Sequence, residues 1–178
     1  MTQHQIAWFT GLSGAGKTTI SNLVAKRLET HGLKVLTLDG DVVRDKREIP
    51  LGFSPEDIRT NNRLIVELCQ DSLAEYEVIL VPVISPFTDS RAHAKRILGE
   101  AMSEIYVWVS LAEAARRDPK GLYRDQDSGK IQGLVGVAGE VPYEPPEHPD
   151  LILDTENLVV DSCASRLTEH LIGRYRAD

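Results

Sequence analysis

"WFTGLSGAGKTTISNL", residues 8–23, runs from apolar residues through a glycine-rich loop into an amphipathic stretch. Within it, "GLSGAGKT" (11–18) matches the pattern G-x-x-x-x-G-K-[ST] in full. Glycines let the backbone curl so that successive N–H groups face an anion. A helix starting at the end of the loop adds the positive end of its dipole. In such a loop Lys17 reaches the β/γ oxygens of a nucleoside triphosphate, and the Thr18 hydroxyl ligates magnesium. Gly11, Ser13, Gly14, Ala15, Gly16, Lys17, Thr18 and Thr19 are therefore expected to hold the phosphates of ATP, with Thr18 on Mg2+.

The flanks of the loop supply the context this needs. "QIAWF" (5–9) reads as a buried strand. Residues 16–30 read as a helix with Ile20, Leu23, Val24 and Leu28 on one side, ended by Gly32. Four more strands are expected at 34–38, 77–83, 104–110 and 150–155. Helices are expected at 55–75, capped by Ser54 with Pro55 in its first turn, and at 89–102 and 158–175. Strands alternating with helices predict an α/β fold. Its form is a P-loop NTPase-type three-layer domain, with a mainly parallel five-stranded sheet and helices on both faces. One domain spans residues 1–178. Residues 117–149 hold five glycines and five prolines and break the pattern, so they are expected to be irregular. A segment of that length inside a domain reads as a lid.

Composition narrows the partners. Hydrophobic residues make up 42% and charged residues 26%, which suits a globular domain with its own core. A formal net charge of −7 argues against nucleic acid polymers and anionic membrane surfaces as partners. No apolar stretch approaches the length of a membrane span and no leader-like segment opens the sequence, so a cytoplasmic location is the expectation. Cys69 and Cys163 fit no metal-ligand spacing and read as buried or half-buried thiols.

The second half of the chemistry lies at the ends of the later strands. "LDGD" (38–41) closes the second strand. Ligands of open α/β sheets bind beyond the carboxyl ends of strands, so Asp39 and Asp41 should face the phosphate loop. A carboxylate there accepts the proton of an attacking hydroxyl or holds magnesium through water. The plainer alternative is an aspartate turn. Arg44, Arg47, Arg59, Arg63, Arg91 and Arg96 suit phosphate or sulfate as a group, although each alone fits a solvated helix face. Arg44 stands out, three residues after Asp41. Ile84 and Ser85 in "VPVISPF" (81–87) fall just past the third strand, where Ser85 either touches substrate or caps the next helix. "RRDPKGLYRD" (116–125) opens the lid with cations able to close over phosphates; the alternative is a solvated loop. No N-K-x-D guanine signature is present, which disfavours a GTPase. Intact Lys17, Thr18 and Asp41 disfavour a nucleotide-binding regulator without transferase activity.

Together these motifs resemble the adenylyl-sulfate kinase family. The resemblance runs through "GLSGAGKTT", "LDGDVVR", "LGFSPED", "ISPF", "RDPKGLY", "GKIQGLVG" and "PYEPPEHPDLILDT", in the family's order over nearly the whole chain. It implies transfer of the γ-phosphate of ATP to the 3′-hydroxyl of adenosine 5′-phosphosulfate by a cytoplasmic homodimer in sulfate assimilation. It makes Asp41 the base and Lys17 the catalytic cation. Asp39, Arg44, Phe53, Asn61, Ile84, Ser85, Lys120 and Leu134 would line the acceptor site, and Arg117 would lie near the ATP adenine. Against the family's pattern, Ile58, Leu64 and Thr88 stand at arginine positions, Gln132 at a lysine position and Leu134 at that of an aromatic. All of these fall on the acceptor side. The alternative acceptor is another nucleotide-linked or small polar hydroxyl compound.

Overall fold

The order of strands puts β1 (Gln5–Thr10) at the centre of one parallel sheet, arranged β2-β3-β1-β4-β5. The computed structural model describes residues 4–45, 51–130, 133–137 and 141–176. β1 pairs in parallel with β3 (Val78–Val81) and β4 (Met102–Trp108). β2 (Val35–Thr37) and β5 (Leu151–Asp154) extend the sheet to its edges. All six residues of β1 are buried, the mark of a strand covered on both faces.

Alternation along β1 divides the core. Ala7 and Phe9 face α1 (Lys17–Thr30) and α7 (Val160–Arg176), meeting Ile20, Val24, Leu28, Leu167 and Leu171. Ile6 and Trp8 face α3 (Pro55–Ser72) and α4 (Thr88–Leu98), meeting Ile65, Val66, Cys69, Ala94 and Leu98. This is the expected three-layer arrangement. α3 starts as the sequence indicates: the Ser54 hydroxyl accepts from the Asp57 N–H and Pro55 occupies the first turn.

Several boundaries differ from expectation. The helix expected to reach residue 102 stops at Leu98, because Gly99 takes a left-handed φ of 60° and a short 3-10 turn follows. β4 therefore begins at Met102, in register with Ile6. The 117–149 segment is less irregular than composition suggests. α5 (Leu111–Arg117) runs into it and α6 (Leu122–Asp127) lies within it, behind Gly121 in the left-handed region. α2 (Gly40–Asp45), a short helix after β2, also had no clear signal. Cys69 and Cys163 are buried free thiols, and burial pushes Cys69 up to about 12, so it is an inert core residue.

Candidate active site

The loop from Gly11 to Gly16 leaves β1 at its carboxyl end and is shaped by close approach to β4. Gly11 has a φ of 148°, and a Cβ there would lie 2.3 Å from the Val107 carbonyl oxygen. Gly16 caps α1 in the left-handed region, without a side chain supplying the cap. The first N–H groups of a helix have no intrahelical acceptor, so those of α1 point at the space an anion would fill.

Lys17 is buried and folds back over this loop. Its ammonium donates to the carbonyl oxygens of Gly11 at 2.8 Å and Leu12 at 2.7 Å. Burial, and then the neighbouring Lys120 ammonium, lower its pKa to about 7. The Thr18 hydroxyl donates to Asp39 Oδ2 at 3.1 Å, and Asp39 Oδ1 accepts from the Asp41 N–H at 3.0 Å. Asp41, in the first turn of α2, lies 2.5 Å from Lys120 Nζ through Oδ2 and 3.3 Å from an Arg44 nitrogen through Oδ1. Partial burial raises the Asp41 pKa, but Lys120, Arg44 and Lys17 outweigh it and the net shift is downward.

One cavity of about 800 Å³ joins these groups. Ser13, Gly14, Gly16, Lys17, Thr18 and Thr19 line it from the loop, and Asp39, Asp41 and Arg44 from the end of β2 and α2. Phe53, Asn61, Ile84, Ser85 and Leu134 line it elsewhere, as do Arg117 and Lys120. Gly11 and Ala15 do not reach it; they are buried behind the loop, Ala15 presenting its carbonyl to Thr155.

The acceptor residues have distinct settings. Arg44 lays its guanidinium 4.5 Å over the ring of Phe53, which is 65% exposed. Asn61 is buried and donates to the Gly40 carbonyl, leaving its side-chain oxygen without a partner among the described residues. Ser85 is held at a φ of 41°, unusual for a residue with a side chain. Its hydroxyl accepts from Asn62, and its carbonyl accepts from Thr10 and Arg91. Leu134 lines the cavity while packing into the core cluster that contains Tyr123 and Val107. Ile58 is buried with Phe87, Val135 and Val141, forming an apolar wall. Gln132 and Arg47 lie outside the described residues.

The arginines that sequence groups together separate here. Arg59 stacks on Phe87 at 4.2 Å and pairs with Asp89, and Arg63 pairs with Glu56. Arg91 is 3% exposed and bound by protein groups. None of the three lines the cavity, whose cations among the described residues are Lys17, Arg44, Arg117 and Lys120.

Sequence reasoning missed the supports behind the loop. The Thr155 hydroxyl donates to Ala15 O at 3.0 Å and accepts from Arg117 at 3.1 Å, while Arg117 also donates to Thr155 O at 2.6 Å. Tyr123 donates its hydroxyl to Ser13 O at 2.9 Å. Thr155 follows the fifth strand directly, a position that could have drawn attention as a strand end. Tyr123 had no signal, since its partner lies 110 residues away.

Among the described residues no cluster of three or more His, Cys, Asp or Glu is placed to hold a metal, and no helix is long and apolar enough to cross a membrane. The family model for adenylylsulphate kinase matches residues 3–154. The chain is 39% identical over 172 residues to the adenylyl-sulfate kinase of Bacillus licheniformis, covering 95% of this chain and 86% of that one. It is 42% identical over 151 residues to a probable adenylyl-sulfate kinase of Archaeoglobus fulgidus, covering 85% and 96%. Its structure is similar to that of the Mycobacterium tuberculosis APS kinase in complex with AMPPNP and APS, with a TM-score of 0.89 and 33% identity over 96% of this chain and 98% of that one. A gluconokinase from Sinorhizobium meliloti shares the fold at 18% identity and a TM-score of 0.57. With the phosphate loop, the strand-end aspartates, Arg117 and Lys120 gathered on one cavity, and these relatives matching nearly end to end, the chain belongs to the adenylyl-sulfate kinase family.

Proposed function

We propose that this chain transfers the γ-phosphoryl group of ATP to the 3′-hydroxyl of adenosine 5′-phosphosulfate, with Asp41 as the base. The observation that carries the reading is the single cavity in which the phosphate loop, Asp41 and Lys120 meet. The phosphates lie on the loop N–H groups and the α1 N-terminus. Lys17 exchanges its loop carbonyls for phosphate oxygens. Asp41, kept ionised by its neighbours, orients the acceptor hydroxyl and takes its proton. Arg44 and Lys120 meet the acceptor's anionic groups, and Phe53 offers a flat face to its base. Arg117, anchored on Thr155, borders the nucleotide end.

Magnesium fits the donors present. Thr18 Oγ1 and Asp39 Oδ2 are 3.1 Å apart, a hydroxyl and a carboxylate of the hard oxygen type the ion takes. These two residues would hold it, directly or through water, and when bound it neutralises phosphate charge. The resemblance extends the proposal to a cytoplasmic homodimer serving sulfate assimilation; sedimentation of the purified protein as a monomer would reject the dimer.

A second reading follows from the apolar wall at Ile58, where the resemblance implies an arginine: the acceptor is another nucleotide-linked or small polar hydroxyl compound. An ADP-release assay over a panel of nucleotide and small polar hydroxyl acceptors decides. Turnover highest with adenylyl sulfate supports the first reading. Turnover with other acceptors alone supports the second, and ADP release with no acceptor in the panel rejects both.

A further inference from the structure

On the acceptor reading above, we infer that Arg91 is a positioning residue: its guanidinium ties the loop after β3 to the strap that follows the lid, and so sets the shape of the acceptor compartment. Arg91 lies outside the cavity and is 3% exposed. Nη1 donates to the Ser85 carbonyl at 2.8 Å, and Nη2 donates to the Glu144 carbonyl at 2.7 Å and to Thr88 Oγ1 at 3.3 Å. Nε lies 2.7 Å from Glu104 Oε1 on β4. A planar fork with fixed donor directions spans two carbonyls on separate segments; a lysine ammonium is a point charge on a flexible stem.

Both carbonyls belong to segments that matter. Ser85 lines the cavity at a φ of 41°, a conformation that persists only when its surroundings over-determine it. Arg91 supplies one of those restraints and Thr10 another. On the other side, the Glu144 N–H donates to the Pro86 carbonyl at 2.9 Å, and its carboxylate accepts from the Thr88 N–H at 2.7 Å. The strap continues to the lid: the Gly136 N–H donates to the Val141 carbonyl at 3.0 Å, and Val135 packs with Val141 against Ile58. One buried side chain therefore fixes the Ser85 side of the compartment and anchors the Val135 side. Among the described residues this guanidinium has no hydrogen bond or ion pair to the phosphate loop, so the effect should fall on the acceptor and spare ATP.

Arg91→Lys keeps the charge beside Glu104 but cannot bridge the two carbonyls. KM for adenylyl sulfate should rise about tenfold, the scale of one lost charge-assisted hydrogen bond, while KM for ATP stays within about twofold. Hydrogen exchange should quicken at the Thr88 and Glu144 amides and stay unchanged in β1. Glu104→Gln, which removes the ion pair and leaves the fork in place, should lower the melting temperature without moving the acceptor KM. Glu144→Ala, on an exposed side chain, should raise the acceptor KM in the same direction even where Arg91→Lys folds poorly. Equal changes in both KM values, an acceptor KM that tracks Glu104→Gln instead, or unchanged exchange at Thr88 and Glu144 would overturn the assignment. Exchange is read without acceptor, so a native enzyme that does not turn over adenylyl sulfate rejects the proposed substrate while exchange still decides the role of Arg91.

Discussion

Lys120 Nζ lies 2.5 Å from Asp41 Oδ2, joining the segment after α5 to the residue proposed as base. Both side chains are more than half exposed, so this is a solvated pair of small energetic weight. Its consequence is for protonation. Asp41 has its pKa raised by partial burial and lowered by Lys120, Arg44 and Lys17, with lowering the net result. A base must be ionised, so activity holds above that pKa and falls as pH drops through it. Removing the cation in Lys120→Met should move the acid limb of the kcat/KM profile to higher pH. A pH–rate series on the two proteins checks this, and an unmoved limb would detach Lys120 from the base. Asp41→Asn should lower kcat by roughly 10²–10⁴ with little change in ATP affinity. Collapse of ATP binding would instead place Asp41 with the metal.

Lys17 gives a second pH effect of opposite sense. Its pKa of about 7 means that much of it is neutral at slightly alkaline pH. A bound triphosphate favours the charged form, so ATP binding should take up protons between about pH 7 and 8. Calorimetry in buffers of different ionisation enthalpy measures the uptake. Lys17→Ala should abolish both the uptake and most turnover; near-native turnover would sink the kinase reading.

Thr155 predicts a change confined to the ATP side. Thr155→Val removes the hydroxyl between Ala15 and Arg117. KM for ATP should rise about three- to tenfold, the value of roughly one hydrogen bond, with the acceptor KM unchanged. Steady-state kinetics varying each substrate in turn separate the two.

The phosphate loop, the alternation of strands and helices around it and the Asp39–Asp41 pair were legible because each is a local pattern with one mechanical purpose. Ser54 and Pro55 marked the start of α3 for the same reason. What stayed hidden depends on distant partners. Arg91 looked like one more surface cation, yet it is buried by carbonyls 6 and 53 residues away. α6 was obscured by the glycines around it, because Gly121 marks a helix entrance here and not merely a break. Ile58 read as a missing cation; only packing against Val135 and Val141 shows that the site has an apolar wall in its place.

Leu134 carries the last prediction. The resemblance implies an aromatic at this position, and the side chain lies between the cavity and the core, 8% exposed. A larger ring forced inward would overpack the cluster around Tyr123 at a cost of about 1–3 kcal/mol. A ring turned into the cavity would stack on the acceptor base, a contact worth about 1–3 kcal/mol. The open volume of about 800 Å³ beside Leu134 favours the second course. Leu134→Phe should therefore bind adenylyl sulfate about tenfold more tightly by calorimetry, with ATP affinity unchanged and stability within about 1 kcal/mol of the native protein. Phe53→Ala, which removes the exposed ring beneath Arg44, should weaken acceptor binding by a similar factor. Unchanged affinity with a lowered melting temperature in Leu134→Phe would place the ring in the core and remove Leu134 from the acceptor site. Tighter binding in Leu134→Phe together with an unaffected Phe53→Ala would show that the base stacks on one face only, the one supplied at position 134.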